Sequence, residues 1–179
     1  MTLRQRAVLL LGVTALCVGA DQIAKQIAAM YLQHSPALSF AGDLFRLQYA
    51  ENPGSFLSLG AGLPEYLRSL LLVGGLGLFL AALFAYALFS RQFGRLMLVG
   101  IAFVLGGGVG NWLDRVMNGS QVIDFMNVGI GPVRSGVFNF ADLFIEVGVA
   151  LVVIASLRAA RGQSVLLAGR DGEEQAIER

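Results

Sequence analysis

The stretch VIDFMNVGIGPVRSGVFNFADLFIE, which runs from Val122 to Glu146, decides how the whole chain is interpreted. It places two acidic residues, Asp124 and Asp142, on either side of a connection rich in Gly and Pro, and Asp142 enters a long apolar segment. A carboxylate at a membrane boundary is energetically costly, so it indicates a functional site by default. The two aspartates together are therefore the first candidates for the chemistry of this protein.

The composition of the chain is that of a membrane protein. Hydrophobic residues make up 56% of the sequence and charged residues only 14%, and the mean hydropathy is +0.69. A soluble domain carries about 25% charged residues, so this chain has too little polar surface to face water on all sides. Its apolar residues also occur in runs that are too long for a small globular core. We therefore expect a polytopic membrane protein.

Charge and cysteine content exclude several other classes. The net charge of +1 argues against nucleic-acid binding, which requires a basic stripe. The single cysteine, Cys17, excludes an intrachain disulfide and a thiolate metal cluster. Because His34 is the only histidine, we expect neither a metal site nor a cofactor.

Four apolar segments predict a polytopic α-helical membrane protein with four transmembrane helices, because about 20 apolar residues cross a bilayer. The spans cover approximately residues 7–32, 67–89, 96–115 and 137–157. Residues 35–63 contain turn formers and a partly alternating segment, Leu44–Tyr49, which predicts a small β-rich cradle on the membrane surface. Residues 1–160 then form a single membrane domain, and residues 161–179 form a polar cytoplasmic tail.

The first span resembles a cleavable signal peptide at its start. Two arginines precede the apolar run from Ala7 to Ala20, and residues 18–20 would suit a peptidase that cuts after small residues. The helical pattern, however, continues past Asp21 to Leu32. We therefore expect this segment to be retained as the first transmembrane helix.

The distribution of Lys and Arg predicts the orientation of the chain. Six arginines (Arg4, Arg6, Arg91, Arg95, Arg158 and Arg161) fall on one side of a four-span arrangement, and only Arg46 and Arg134 lie clearly within the opposite loops. Cytoplasmic loops carry the excess of positive charge, so both termini are expected in the cytoplasm. This arrangement brings seven acids and amides to the extracytoplasmic end of the bundle, namely Asp21, Asn52, Asn111, Asp114, Asp124, Asn139 and Asp142.

Two carboxylates at one site tend to share a proton, because they do not easily ionise together. The ionised one can take a proton from water while the neutral one donates to a carbonyl oxygen, which is general acid–base hydrolysis without a metal. A structural role fits the same residues. Asn139 suits a helix N-cap and Asp142 the first turn of that helix, while Asp124 can be an ordinary loop acid.

Two further charged pairs have simple structural interpretations. Asp21 and Lys25 stand four residues apart and share a helix face, which favours a partly buried ion pair with Lys25 extending outward. A place for Asp21 beside a reaction site is the alternative. Asp114 next to Arg115 is interpreted as an interfacial ion pair.

Five short blocks resemble the motifs of the bacterial lipoprotein signal peptidases, the type II signal peptidases. The blocks are Asp21-Gln-x-x-Lys25, Asn52-x-Gly54, Gly107-x-x-Gly110-Asn111-x-x-Asp114-Arg115, Val122-x-Asp124-Phe125 and Phe138-Asn139-x-Ala141-Asp142. Each block is weak alone, but their order and spacing fit across Val8–Ala155, which is nearly the whole chain.

This resemblance implies a four-helix intramembrane aspartyl protease with an extracytoplasmic β-cradle. Such enzymes remove the signal peptide from prolipoproteins just before a cysteine that carries diacylglycerol. Asp124 and Asp142 match the catalytic pair. Eight further residues match positions that bind substrate or support the site, namely Asp21, Lys25, Asn52, Gly54, Asn111, Asp114, Arg115 and Asn139.

The resemblance also implies a location and partners. The protein is expected in the bacterial cytoplasmic (inner) membrane, as a monomer without cofactor. Its expected partners are diacylglyceryl-modified prolipoproteins, membrane lipids and peptide inhibitors of the globomycin type.

Two features depart from the family pattern. The residues that follow Asn52-x-Gly54 are Ser55-Phe56-Leu57, in which the aromatic residue comes one position early. Glu146 lies four residues after Asp142 on the same helix face, and we expect its side chain inside the bundle, protonated or hydrogen-bonded.

Two rival functions remain at this point. A small transporter or ion pathway would use the same acids as a proton relay. A relay requires acids at several depths in the membrane, whereas these acids are predicted to lie at one end of the bundle. A protein of the same fold without activity is the other rival; the intact aspartate pair argues against it, and the altered residues 54–57 argue for it.

Overall fold

A computed structural model gives the structure of residues 1–54, 62 and 64–177. The helices are α1 (Leu3–Leu32), α2 (Glu65–Ser69), α3 (Leu76–Phe89), α4 (Arg95–Met117) and α5 (Phe140–Ile177), and a π-helical segment, Leu70–Gly75, joins α2 to α3. The strands are β1 (Leu38–Phe40), β2 (Phe45–Asn52), β3 (Val122–Ile130) and β4 (Val133–Arg134).

Four helical stretches in this part of the chain are long and apolar enough to cross a membrane. They are Leu3–Leu32, Glu65–Phe89, Arg95–Met117 and Phe140–Arg161. The predicted fold, four membrane helices with a small sheet, is confirmed. Helix α5 continues to Ile177, so the backbone is helical where the sequence predicts a polar tail.

Helix α4 lies at the centre of the bundle. In its most apolar part 56% of the residues are buried, against 17% or less in the other three membrane helices. A Cβ atom on Gly107 would lie 2.1 Å from the carbonyl oxygen of Ala141 in α5, and one on Gly110 would lie 2.6 Å from Asp21 Oδ2 in α1. Only glycine therefore allows α4 to approach both neighbours this closely.

The outward faces of the other helices are apolar. Leu16 and Met30 in α1 and Leu78 in α3 each expose about three quarters of their surface. A soluble protein does not present large apolar faces of this kind to water. These faces fit a hydrocarbon environment, which agrees with the membrane fold.

The sheet lies at the end of the bundle where α1 and α4 end and α5 begins. Its strand order is β1-β2-β3-β4, and all neighbouring strands are antiparallel. Strand β2 pairs with β3 from Phe45 opposite Val128 to Asn52 opposite Val122, with a register shift between Leu47 and Ala50. The pairing sets Asn52 beside the first residues of β3.

The sheet prediction was incomplete, because half of the sheet comes from residues 122–134. The turn formers and the partly alternating segment predict strands in residues 35–63 alone, and the Gly- and Pro-rich stretch after Asp124 predicts a connection. Strand β3 is mostly buried between Val122 and Asn127, so its apolar residues do not alternate strictly with polar ones. A buried strand of this kind lacks the period-2 pattern that reveals a half-exposed one.

Arg6 fixes the opposite end of the bundle. Its guanidinium is buried and donates to the carbonyl oxygens of Ala87 (2.7 Å), Leu88 (3.0 Å) and Phe93 (3.4 Å), and also to that of Ser90. These carbonyls belong to the last turn of α3 and the loop after it, where helical partners are missing. Arg6 thus ties α1 to the end of α3, far from the sheet.

Candidate active site

Asn139 joins the two aspartates at the sheet end of the bundle. Asp124 is the third residue of β3, and Asp142 lies in the first turn of α5. Asn139 Nδ2 donates to Asp124 Oδ1 over 2.6 Å, and Asn139 Oδ1 accepts from the backbone N–H of Asp142 over 3.0 Å. The two residues that the sequence singles out therefore belong to one cluster.

The same asparagine is the N-cap of α5. Its backbone N–H donates to Asp142 Oδ2 over 3.1 Å, while its side chain accepts from the N–H of Asp142. This reciprocal pair is a capping box, and it holds the Asp142 carboxylate near the positive end of the helix. The structural interpretation of Asn139 and Asp142 is therefore correct, and it coexists with their place beside Asp124.

Each of the four carboxylate oxygens accepts a hydrogen bond from an amide. Besides the two bonds from Asn139, Asn52 Nδ2 donates to Asp124 Oδ2 over 3.1 Å, and Asn111 Nδ2 donates to Asp142 Oδ1 over 2.9 Å. Strand β2 supplies Asn52 and helix α4 supplies Asn111. Strand β2, helix α4 and the N-cap of α5 thus hold the pair in place.

The two carboxylates differ in their surroundings. Asp124 is only 2% exposed. Burial raises its pKa to about 6, the hydrogen bond from Asn52 acts in the opposite direction, and the charge of Asp142 raises the pKa further. The pKa of Asp124 therefore lies well above that of an ordinary aspartate, so Asp124 holds a proton more readily than an aspartate in water.

Arg115 holds the turn at Asn52–Gly54 against α4. It is buried, and its Nη2 donates to the carbonyl oxygen of Gly54 over 2.8 Å, while Nη1 donates to that of Asn111 over 3.0 Å. The N–H of Gly54 donates to Asn52 Oδ1 over 3.0 Å, which turns the Asn52 amide group toward Asp124. The unusual residues Ser55-Phe56-Leu57 lie outside the described part of the chain.

The predicted ion pair between Asp114 and Arg115 is wrong. Asp114 Oδ2 lies 2.9 Å from Lys25 Nζ, and the guanidinium of Arg115 binds the two backbone carbonyls instead. Neighbours in sequence on a helix point about 100° apart, so they rarely face each other.

The ion pair of Asp21 and Lys25 forms as predicted, with Lys25 Nζ 2.8 Å from Asp21 Oδ2. The expectation that Lys25 extends outward is wrong, because the residue is 1% exposed and Asp21 is completely buried. The sequence cannot show this, since the partners that keep Lys25 inside, Asp114 and Asn111, come from a distant helix.

The expectation for Glu146 is also wrong. Its side chain is exposed rather than inside the bundle. Helix α5 faces α4 through Ala141 and Gly148. The carbonyl oxygen of Ala141 lies close to α4, and a Cβ atom placed on Gly148 would collide with the α4 backbone. Glu146 lies on another face, one turn from the half-buried Asp142.

Sequence reasoning missed Gln22 as a member of this region. Its Nε2 donates to Asp114 Oδ1 over 2.8 Å and to the carbonyl oxygen of Gly110 over 3.2 Å. The signal was present, since Gln22 stands within the Asp21–Lys25 block. A polar residue in an apolar helix is by itself a reason to expect a buried partner.

In chemical terms, the site is a pair of carboxylates that accept hydrogen bonds from amide donors at one end of a membrane bundle, and one of them, Asp124, is buried with a raised pKa. Such a pair can supply an acid and a base at once, because one carboxyl group keeps its proton while the other is ionised. This combination suits hydrolysis of an amide by an activated water.

Comparison with known proteins gives a consistent family. A family profile described as signal peptidase (SPase) II matches residues 13–158. The chain is 37% identical over 136 residues to a lipoprotein signal peptidase of Treponema denticola. The aligned residues cover 74% of this chain and 79% of that protein. It is 35% identical over 149 residues to a lipoprotein signal peptidase of Chlorobium phaeobacteroides, covering 78% of this chain and 90% of that protein.

Solved structures share the fold. A bacterial membrane enzyme determined by the in meso method at 1.9 Å resolution is 26% identical, with a TM-score of 0.70 over 83% of this chain and 92% of that one. A second such structure, at 2.3 Å resolution, is 24% identical with a TM-score of 0.71, and it supports the fold alone.

Proposed function

The chain belongs to the signal peptidase II family, and from that premise we propose that it is an aspartic endopeptidase in which Asp124 and Asp142 are the catalytic pair. Its substrates are diacylglyceryl-modified prolipoproteins, cut just before the lipid-modified cysteine. The observation that carries the proposal is the position of Asn139, which is buried and contacts both aspartates, so that they belong to one cluster.

The surroundings of each aspartate favour one role. Asp124 has a pKa raised to about 6 by burial, so it holds the proton and donates it to the scissile carbonyl oxygen. Asp142 lies in the first turn of α5, where a carboxylate interacts favourably with the helix dipole. It takes a proton from the water whose oxygen attacks the carbonyl carbon.

The second half of the reaction reverses these roles. Asp142 gives its new proton to the leaving nitrogen, Asp124 takes a proton from one hydroxyl of the tetrahedral intermediate, and the C–N bond breaks. Both groups thereby return to their starting protonation states. Asn52 and Asn111 keep the carboxylates in place by donating to Asp124 Oδ2 and Asp142 Oδ1.

We place the protein in the cytoplasmic membrane with the sheet end outside. The arginine distribution supports this orientation, because the positive charges near the other end of the bundle exceed those in the sheet. The site would then meet prolipoproteins at the extracytoplasmic face, after their signal peptides have entered the membrane.

The test is cleavage of a purified diacylglyceryl-modified prolipoprotein by the purified enzyme. The wild type should release the signal peptide, and mass spectrometry should place the new N-terminus at the modified cysteine. Asp124→Asn and Asp142→Asn should be inactive although folded, because an amide can neither accept nor release the proton.

A matched control is Asp43→Asn. Asp43 lies in the turn between β1 and β2, where it is half-exposed and its carboxylate bonds to Ser39, Arg46 and Arg134. This variant should cleave at the wild-type rate. Substantial cleavage by a folded Asp124→Asn or Asp142→Asn enzyme would end the proposal, as would a product cut elsewhere.

A further inference from the structure

Lys25 is the centre of a buried polar cluster beside the proposed catalytic pair. Its ammonium group has three N–H donors. They reach Asp21 Oδ2 at 2.8 Å, Asp114 Oδ2 at 2.9 Å and Asn111 Oδ1 at 2.8 Å. Every donor of Lys25 is therefore used, and none points toward solvent.

The two acids of this cluster hold the backbone just before each catalytic residue. Asp21 Oδ1 accepts from the N–H of Ala141 over 2.9 Å, and Ala141 precedes Asp142. Asp114 Oδ2 accepts from the N–H of Ile123 over 3.1 Å, and Ile123 precedes Asp124. Lys25 pairs with both acids, so it connects the two chain segments that carry the aspartates.

The third bond of Lys25 determines how the Asn111 amide is oriented. Asn111 Oδ1 accepts from Lys25 and also from Asn139 Nδ2 over 3.0 Å. With the oxygen committed to two donors, the NH₂ group must face Asp142 Oδ1. A flipped amide would present its oxygen to the carboxylate and would leave the ammonium facing an N–H donor.

Stability alone is a weak reason for such a buried charge, because taking ions out of water costs about as much as their pairing returns. Resting on the proposed function, we infer that Lys25 is a positioning residue for the reaction. It acts through Asn111 and the two acids to fix Asp142 and Asp124 relative to each other. It touches neither aspartate and no reacting atom.

The expected signature is a loss of turnover without a loss of substrate binding. Misplacing a reacting group by about 1 Å costs on the order of 100-fold in rate. Lys25→Met, which keeps the length of the side chain and removes the ammonium, should lower kcat by that order. KM should stay within about twofold, since Lys25, Asp21 and Asp114 are almost fully buried and do not meet a bound substrate.

Lys25→Met leaves Asp21 and Asp114 buried without a cation and can fail to fold. The second variant is therefore the neutral triple, Asp21→Asn with Lys25→Met and Asp114→Asn. Each new amide oxygen can still accept the backbone N–H of Ala141 or Ile123. The ammonium bonds and the bond from Gln22 to Asp114 Oδ1 are lost. No charge of this cluster is left buried without a partner and both backbone contacts remain, so this variant should fold and still show the fall in kcat.

A double-mutant cycle tests whether Lys25 acts through Asn111. Asn111→Ala should be slow, and adding it to the Lys25 variant should cost no more than a few-fold extra, because groups that act as a unit have non-additive losses. Arg6→Met is the matched control, since Arg6 is a buried cation on the same helix that bonds only to backbone at the other end. It should lower thermal stability, leave kcat of the folded enzyme unchanged and be additive with Asn111→Ala.

Three outcomes would overturn the inference: wild-type kcat in the neutral triple variant, losses that multiply for Lys25 and Asn111, or a rise in KM that accounts for the whole defect. These outcomes are separate from the fate of the proposed function. If the Asp→Asn enzymes are inactive while the Lys25 variants turn over normally, only the inference about Lys25 fails. Active Asp→Asn enzymes would remove its premise.

Discussion

Replacement of Gly107 by alanine should damage both the packing of the bundle and the placement of Asp142. The new Cβ would lie 2.1 Å from the carbonyl oxygen of Ala141 and 2.8 Å from Ile145 Cγ1. A carbonyl within a helix cannot turn away, so α5 has to move by about 0.9 Å to reach a 3.0 Å contact. Overpacking of this kind costs about 1–3 kcal/mol.

The same displacement acts on the chemistry, because Ala141 directly precedes Asp142. A shift of about 1 Å costs on the order of 100-fold in rate. We therefore expect Gly107→Ala to lose stability and, in the molecules that remain folded, to lose most of its turnover.

The assay combines thermal unfolding in detergent with single-turnover cleavage of a lipid-modified prolipoprotein. Gly12→Ala is the matched control, since Gly12 lies in α1 with nothing within 4 Å of its Cβ position. There alanine should be neutral or stabilising by up to about 1 kcal/mol. A Gly107→Ala enzyme with wild-type stability and turnover would show that the close contact of α4 with α5 does not place Asp142.

Three further predictions follow from individual residues. Asn52→Ala removes a hydrogen bond that lowers the pKa of Asp124, so this pKa should rise. The fall of kcat/KM on the alkaline side of the pH profile, expected near pH 6, should then move to higher pH. An unmoved alkaline limb would contradict the role of Asp124 as the proton donor. Glu146→Gln should keep most of the activity and the same pH limbs because the side chain is exposed, and a loss as deep as that of Asp124→Asn would make Glu146 part of the catalytic unit. In a Cys17→Ser background, an impermeant thiol reagent should label cysteines placed at Gly42 or Ser120 in intact cells but not one at Gln92; the reverse labelling would invert the orientation.

The membrane fold could be predicted because its signal is local. Each span is a long apolar run of about the length that crosses a bilayer. The start of α5 was also visible, since Asn139 followed three residues later by an acid is a capping pattern. These features depend only on residues that are near each other in sequence.

The interior of the site could not be predicted, because it depends on residues that meet only in the folded chain. Whether Lys25 extends outward or inward depends on Asp114 and Asn111, which α4 supplies. The partner of Asp114 and the exposure of Glu146 likewise follow from how the helices are rotated against each other. Strand β3 escaped recognition because its burial removes the alternation that marks a strand.

The central claim is that Asp124 and Asp142 act as one acid–base unit. The most direct measurement is single-turnover cleavage of a diacylglyceryl-modified prolipoprotein by Asp124→Asn, Asp142→Asn and the double variant, each confirmed to be folded. Because groups that act as a unit have non-additive losses, either single change should abolish turnover nearly as completely as both together. Losses that multiply in the double variant, or a folded single variant that retains substantial cleavage, would contradict the account.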